Sequence, residues 1–194
     1  MKPECFLEIL HLCEKLKNIT RHADTSVGRR ESVAEHSWRL AMMAFLLREQ
    51  YPALDMNKVI EMCLIHDLGE VFTGDKPVFE KTEEDSLREA ELYRSWLGAL
   101  PPTLSRRMMA LYDEMEACTS PEAKLYKALD RMEAVIQHNE SPIASWLPLE
   151  YELQKTYGVE DCKCDPYLQA LREAVLRETL EKIRREAPED KAPL

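Results

Sequence analysis

Residues 59–70 read VIEMCLIHDLGE, and this stretch is the one that decides the class of the fold. Its apolar residues return every three or four positions, which is the period of an amphipathic α-helix. Two polar side chains, His66 and Glu70, fall on that same face. Asp55 can cap the start of this helix, which we expect to end near Gly69. The helix therefore carries an imidazole and a carboxylate toward the protein interior.

Two further predicted helices each place one polar group beside an apolar stripe. The segment Ser32–Glu35 has the form of a capping box, so a helix begins there, and His36 lies on its apolar face. Another helix begins at Pro121, and Asp130 lies at the edge of its stripe. Either His36 or His66 alone is explained by hydrogen bonding in the core. Two histidines and two carboxylates directed inward can also share one divalent cation, because burial is costly for groups that stay unpaired.

The rest of the chain predicts more helices, separated by short turns. The predicted helices span residues 3–18, 32–50, 55–69, 82–98, 101–117, 120–139, 148–157 and 165–186. The polar segment 19–31 is expected to be irregular. We therefore predict an all-α, single-domain helical bundle of about seven to nine helices over residues 1–186, followed by a flexible tail at 187–194.

Composition limits the possible partners of the protein. The 194 residues carry a net charge of −10, and a chain this acidic disfavours binding to nucleic-acid polymers, which require a basic face. No apolar run approaches the roughly 20 residues needed to cross a bilayer, so we expect no membrane partner. The N-terminus lacks the pattern of a signal peptide, and the six cysteines are expected to be reduced. A cytoplasmic location is the expectation that follows.

The order of the polar residues resembles a known family signature. The segments Val33–Ser37, His66–Glu70 and Leu129–Arg131 resemble the H…HD…D pattern of the HD superfamily of metal-dependent phosphohydrolases. The chain is most similar to the single-domain branch that includes bacterial 5′-deoxynucleotidases and eukaryotic HD-domain-containing relatives. Leu16-Lys17 before Arg21, and Thr73-Gly74-Asp75 after the HD pair, are supporting matches. The resemblance covers nearly the whole chain.

The resemblance implies a set of metal ligands, namely His36, His66, Asp67 and Asp130. Such a mixed nitrogen and oxygen set suits Mn, Fe, Co, Ni, Zn or Mg, and the sequence leaves the identity of the ion open. HD enzymes with two metals use extra histidines between the HD pair and the last aspartate. Because no histidine lies between Asp67 and Asp130, we expect one divalent metal ion.

The same resemblance implies the reaction and the roles of the residues. A water activated by the metal, with Asp67 among the ligands that hold the metal, would attack a phosphate, and Glu70 would handle protons. Arg21 is expected to hold the phosphate and Asp75 to contact the sugar. Two lysines are further candidates for substrate binding, Lys76 and Lys127.

The leading functional hypothesis is a 5′-nucleotidase acting on a small-molecule substrate, a (deoxy)nucleoside 5′-monophosphate, and the family also suggests a homodimer. In the bacterial deoxynucleotidases a Trp that helps to exclude a 2′-hydroxyl follows the family Arg, whereas His22 follows Arg21 here. The choice between ribose and deoxyribose is therefore open. The alternatives are hydrolysis of another phosphomonoester or of a cyclic nucleotide, and a non-catalytic protein that senses nucleotides.

Overall fold

The computed structural model describes residues 1–187, and these form an all-α fold with one small sheet. The helices are α1 (Pro3–Glu14), α2 (Val33–Leu46), α3 (Met56–Ile65), α4 (Glu70–Thr73), α5 (Glu83–Ala99), α6 (Pro102–Ala117), α7 (Pro121–Glu140), α8 (Glu150–Thr156), α9 (Val159–Cys162) and α10 (Pro166–Glu186). Short 3₁₀ turns lie at Lys15–Lys17 and Ile143–Ser145. Two of the ten helices, α4 and α9, are single turns, so eight longer helices remain among the described residues and the predicted all-α class is confirmed. The predicted tail lies outside the described residues except for Ala187.

The sequence signals at the helix starts act as predicted. At the start of α2 the Ser32 hydroxyl accepts a hydrogen bond from the Glu35 backbone N–H (3.3 Å), and the Glu35 carboxylate accepts one from the Ser32 N–H (2.9 Å). Asp55 accepts from two backbone N–H groups at the start of α3. Asp165 accepts from the Leu168 N–H at 2.9 Å and starts α10. Each cap satisfies backbone donors that a helix start leaves without partners.

The HD segment departs from the predicted continuous helix. Helix α3 ends at Ile65, residues 66–69 form turns, and α4 begins at Glu70. The backbone here bonds to the third preceding residue, as in Leu68 N–H to Ile65 O (3.2 Å) and Glu70 N–H to Asp67 O (3.1 Å). Such 3₁₀-type bonding tightens the chain and changes where successive side chains point.

The prediction that residues 19–31 are irregular was wrong. Strands β1 (Thr20–Asp24) and β2 (Arg30–Ser32) form a two-stranded sheet. Gly28, in the connection, has φ +78°, which a glycine adopts without the strain that other residues incur there. Strands this short are stabilised by pairing between segments, so their periodicity alone does not reveal them.

The chain forms two compact units, and the predicted single domain over residues 1–186 stays a prediction. The first unit comprises residues 1–22 and 31–126. In it α2 packs on α3, α3 on α6, α5 on α6 and α4 on α5. Its buried core consists of Leu16, Val33, Leu68, Tyr93, Leu97, Leu100, Met108 and Tyr112. These packed helices provide the rigid support for the HD segment.

The second unit comprises, among the described residues, 23–30 and 127–187. Helix α10 packs on α8, on α9 and on the 3₁₀ turn at Ile143–Ser145. Trp146, Tyr151 and Ile183 form a buried cluster there. Within residues 1–187, no helix combines the length and the apolar character needed to cross a membrane.

Candidate metal centre

Three of the predicted ligands converge inside the first unit. His36 lies near the start of α2 and is completely buried, while His66 and Asp67 follow α3. The Nε2 atoms of His36 and His66 are 3.1 Å apart. The Asp67 Oδ2 atom lies 2.9 Å from His66 Nε2 and 3.8 Å from His36 Nε2. Two helices and one turn therefore bring three potential ligand atoms to a single point.

Two of the three distances, 3.1 and 2.9 Å, are close to those between neighbouring ligands of one divalent ion, while the 3.8 Å between His36 Nε2 and Asp67 Oδ2 is wider. Ligands held about 2.1 Å from a common ion lie roughly 3.0–3.4 Å from one another in octahedral or tetrahedral arrangements. The imidazole of His66 is also oriented for coordination, because its Nδ1 atom lies 2.9 Å from the Cys63 carbonyl oxygen. Nδ1–H donates to that carbonyl, which leaves the lone pair on Nε2 directed at the centre. The donor atoms, and the hydrogen bond that orients the His66 ring, therefore suit a metal.

The charge state of Asp67 also favours a ligand role. Burial on its own would raise the pKa of this carboxyl. Interactions with the imidazoles of His66 and His36 and with the guanidinium of Arg21 outweigh burial and hold the pKa of Asp67 well below its usual range. Asp67 is therefore ionised at neutral pH and carries the charge that a metal ligand needs.

Glu70 combines burial with an oxygen atom that has no hydrogen-bond partner in the described part of the chain. It is the first residue of α4 and is 5% exposed, and the atom in question is Oε2. Burial raises the pKa of Glu70 well above its usual value, and the negative charges of Asp67 and Asp75 raise it further, while Arg21 lowers it. A raised pKa favours the protonated form of a carboxyl, which is the form that a general acid requires.

Arg21 projects from β1 toward the HD pair, as the phosphate-binding prediction requires. Its Nη1 atom lies 3.5 Å from Asp67 Oδ2. Its Nε atom lies 3.4 Å from the Oε2 atom of Glu31, a buried residue of β2. Sequence reasoning missed Glu31, because only the pairing of β1 with β2 shows that its carboxylate meets Arg21. An acidic residue directly before the capping box was the single available signal.

Two substrate candidates from the loop after α4 occupy different surroundings. Asp75 is half-buried, and its carboxyl interacts electrostatically with that of Glu70. Burial raises the pKa of Asp75, and Arg21 opposes that effect. Lys76 is exposed, and its Nζ atom lies 2.5 Å from Asp85 Oδ1. Asp75 therefore adjoins Glu70, whereas Lys76 is engaged with α5.

Asp130 and Lys127 lie on α7, within the second unit. The Lys127 Nζ atom donates to Asp130 Oδ2 at 3.0 Å. The charge of Asp130 raises the pKa of Lys127. The roles of Asp130 as a metal ligand and of Lys127 in substrate binding stay predictions.

Comparison with known proteins identifies the class. The HD domain family matches residues 13–172, and the chain belongs to that family. Among its relatives is human 5′-deoxynucleotidase HDDC2, 32% identical over 138 residues that cover 69% of this chain and 67% of the human protein. The Dictyostelium discoideum protein of the same name is 32% identical over 144 residues, covering 68% of this chain and 75% of that protein. The chain spans about two thirds of the length of the mammalian relatives, with 66% for the bovine protein.

A solved structure has the same architecture. The crystal structure of a predicted metal-dependent phosphohydrolase from Magnetospirillum magnetotacticum superposes with a TM-score of 0.79 and 29% sequence identity, covering 95% of this chain and 98% of that one. The predicted family resemblance is confirmed. Family membership together with the cluster of His36, His66 and Asp67 supports a divalent metal as cofactor.

Proposed function

We propose that this protein is a metal-dependent phosphohydrolase that converts (deoxy)nucleoside 5′-monophosphates to nucleosides and phosphate. The observation that carries the proposal is the convergence of His36, His66 and Asp67, with Glu70 and Arg21 beside them. Relatives named 5′-deoxynucleotidase at about one third identity support the substrate class.

Each residue has a distinct task in this reaction. A bound divalent ion would acidify water and polarise a phosphoryl oxygen. The imidazoles of His36 and His66 and the carboxylate of Asp67 would hold that ion, with Asp130 as the predicted fourth ligand. Since two nitrogen ligands favour a transition metal, Mn, Fe, Co, Ni and Zn are better candidates than Mg.

Side chains of the protein would bind the substrate and protonate its leaving group. The Arg21 guanidinium would bind two oxygens of the phosphate, because its planar fork matches them. Glu70 would deliver the proton from its carboxyl to the leaving 5′-oxygen of the sugar. Asp75, whose carboxyl interacts with that of Glu70, would accept a hydrogen bond from a sugar hydroxyl. Lys76 and Lys127 remain candidates for further phosphate contacts.

We also propose that the protein is a homodimer. Helix α2 is apolar on its outer side as well, where Trp38 is 63% and Leu46 71% exposed, with Met42 and Phe45 between them. These four exposed apolar side chains form a continuous stripe of the kind that a protein interface covers. A second copy of α2 presents the same stripe and would cover it. A cytoplasmic location also stays a prediction, with which the six free cysteines are consistent.

The proposed activity is tested on the purified full chain, stripped of metal and reloaded with one ion at a time. Phosphate release is measured from ribo- and deoxyribonucleoside 5′-monophosphates, from nucleoside 3′-monophosphates and from cyclic nucleotides. We expect release from 5′-monophosphates with at least one transition metal and none from a His36→Ala variant. Turnover confined to the other esters would favour the alternative hydrolases. Nucleotide binding without turnover would favour a sensor, and either result would overturn the proposal.

A further inference from the structure

Glu31 is a buried carboxylate whose place in the fold requires an explanation. It lies in β2 and is 2% exposed, next to the residue that caps α2. Burial of a carboxylate is costly unless a cation or several donors compensate it. The Nε atom of Arg21, on the paired strand β1, lies 3.4 Å from Glu31 Oε2 and provides such a cation.

The guanidinium of Arg21 has an acidic neighbour on each of two sides. Glu31 lies at the Nε edge, and the carboxylate of Asp67 lies 3.5 Å from Nη1. An arginine side chain has many rotamers in water, and a phosphate that binds a mobile arginine must first immobilise it. The side chain of Arg21 is 17% exposed, so it is held largely inside the protein while it remains accessible from the site.

We infer that Glu31 is a positioning residue, which orients Arg21 so that its guanidinium is ready to bind the phosphate group of the substrate. Glu31 acts through Arg21 and has no contact with the substrate itself. This inference rests on the proposed function, because it takes Arg21 as the phosphate-binding residue.

A rival role for Glu31 would act through the metal. Its carboxylate also lies within 4.8 Å of a ring nitrogen of His36, so it could instead orient that ligand. The two roles differ in what they alter. Loss of a support for His36 would weaken metal binding, whereas loss of a support for Arg21 would weaken phosphate binding with the metal retained.

The test is a double-mutant cycle with Glu31→Gln, Arg21→Ala and the double variant. Affinity for inorganic phosphate is measured by calorimetry on metal-loaded protein, beside metal content, KM and kcat. We expect Glu31→Gln to weaken phosphate binding and raise KM by about tenfold, with kcat within about threefold and metal content unchanged. In the Arg21→Ala background the same change should have no further effect.

Glu8→Gln, on the exposed side of α1, serves as the matched control and should leave all four quantities unchanged. Glu31→Asp retains the charge, should recover part of the phosphate affinity, and covers the case in which the glutamine variant does not fold. A full additional loss in the Arg21→Ala background, or a fall in metal content, would overturn the inference. Because phosphate affinity is measured without turnover, an inactive wild-type protein would refute the proposed function separately.

Discussion

The Nε2 atoms of His36 and His66 face each other at 3.1 Å inside the first unit. Two imidazole lone pairs at this distance repel each other unless a proton or a cation lies between them. Because His66 Nδ1 donates to Cys63 O, the lone pair of His66 is directed at His36. Helix α2 and the turn after α3 therefore place two imidazoles where a bound cation would relieve this repulsion, as the proposed metal site requires.

Replacing one imidazole should abolish the stabilisation that metal confers. We expect His66→Gln to weaken metal affinity by more than about 100-fold, because the remaining ligands cannot satisfy the ion. Metal analysis and melting curves with and without chelator measure the effect, since a ligand raises Tm only when it binds the folded state. His11→Gln, exposed on α1, is the control and should behave as wild type. Equal metal content in both variants would contradict the assignment.

Neutralising Glu70 should stabilise the metal-free protein at alkaline pH. Burial raises the pKa of Glu70 in the folded state, so its contribution to stability is complete at low pH and is lost as the pH rises through the folded pKa. Because glutamine does not ionise, Glu70→Gln avoids this loss. We expect the free energy of unfolding of the variant to exceed that of wild type by about 1 kcal/mol or more at pH 8, and the difference to vanish near pH 4. Urea unfolding in chelator at several pH values measures this. A variant less stable than wild type at pH 8 would refute it.

The same substitution should impair the reaction. With the metal bound, Glu70→Gln is expected to lower kcat by about 100-fold or more, since an amide cannot deliver a proton to the leaving group. KM and metal content should change little, because Glu70 is not among the proposed metal ligands. Steady-state kinetics combined with metal analysis separate these effects. Unchanged kcat would remove the acid role from Glu70.

Loss of the α2 cap should affect the metal site as well as stability. Ser32→Ala removes the hydroxyl that accepts the Glu35 N–H, at a cost of about 1 kcal/mol. The first turn of α2 carries His36, so we also expect weaker metal binding. Thr82→Ala removes the equivalent capping box of α5 and is the matched control, with a similar loss of stability and unchanged metal affinity. Equal effects of both variants on metal affinity would contradict the prediction.

Two glycines should respond to substitution in opposite directions. Gly158 has φ +74°, and a Cβ atom there would lie 3.0 Å from the Cβ of Arg131, so Gly158→Ala should destabilise by about 1–3 kcal/mol. Gly98 lies within α5, where an added Cβ would meet nothing closer than 4.0 Å among the described residues. Gly98→Ala should therefore stabilise by up to about 1 kcal/mol. Denaturant unfolding of both variants checks the two signs.

Charged substitutions on the outer side of α2 should separate the proposed dimer. Leu46→Glu places like charges together in a symmetric interface, and Trp38→Arg does the same with positive charge. We expect both variants to run as monomers by light scattering and to stay folded, because both side chains are exposed on the single chain. Leu87→Glu, on the exposed side of α5, is the control. A wild-type monomer would disprove the dimer directly.

The helical class and the helix starts could be predicted because their signals are local. Periodicity of 3.6 residues and the capping groups Ser32, Asp55 and Asp165 act within one or two turns of chain. His36, His66 and Asp67 were identified by their order along the sequence, and the fold brings those three together.

Tertiary structure decided the features that depend on distant segments. The sheet of β1 and β2 forms only when the two strands pair, and that pairing sets Glu31 against Arg21. The pKa of Glu70 depends on burial and on the charges of Asp67 and Asp75, which no local pattern specifies. Hydrophobic periodicity and capping are properties of neighbouring residues, whereas burial and electrostatic interaction depend on distances that exist only after the chain has folded.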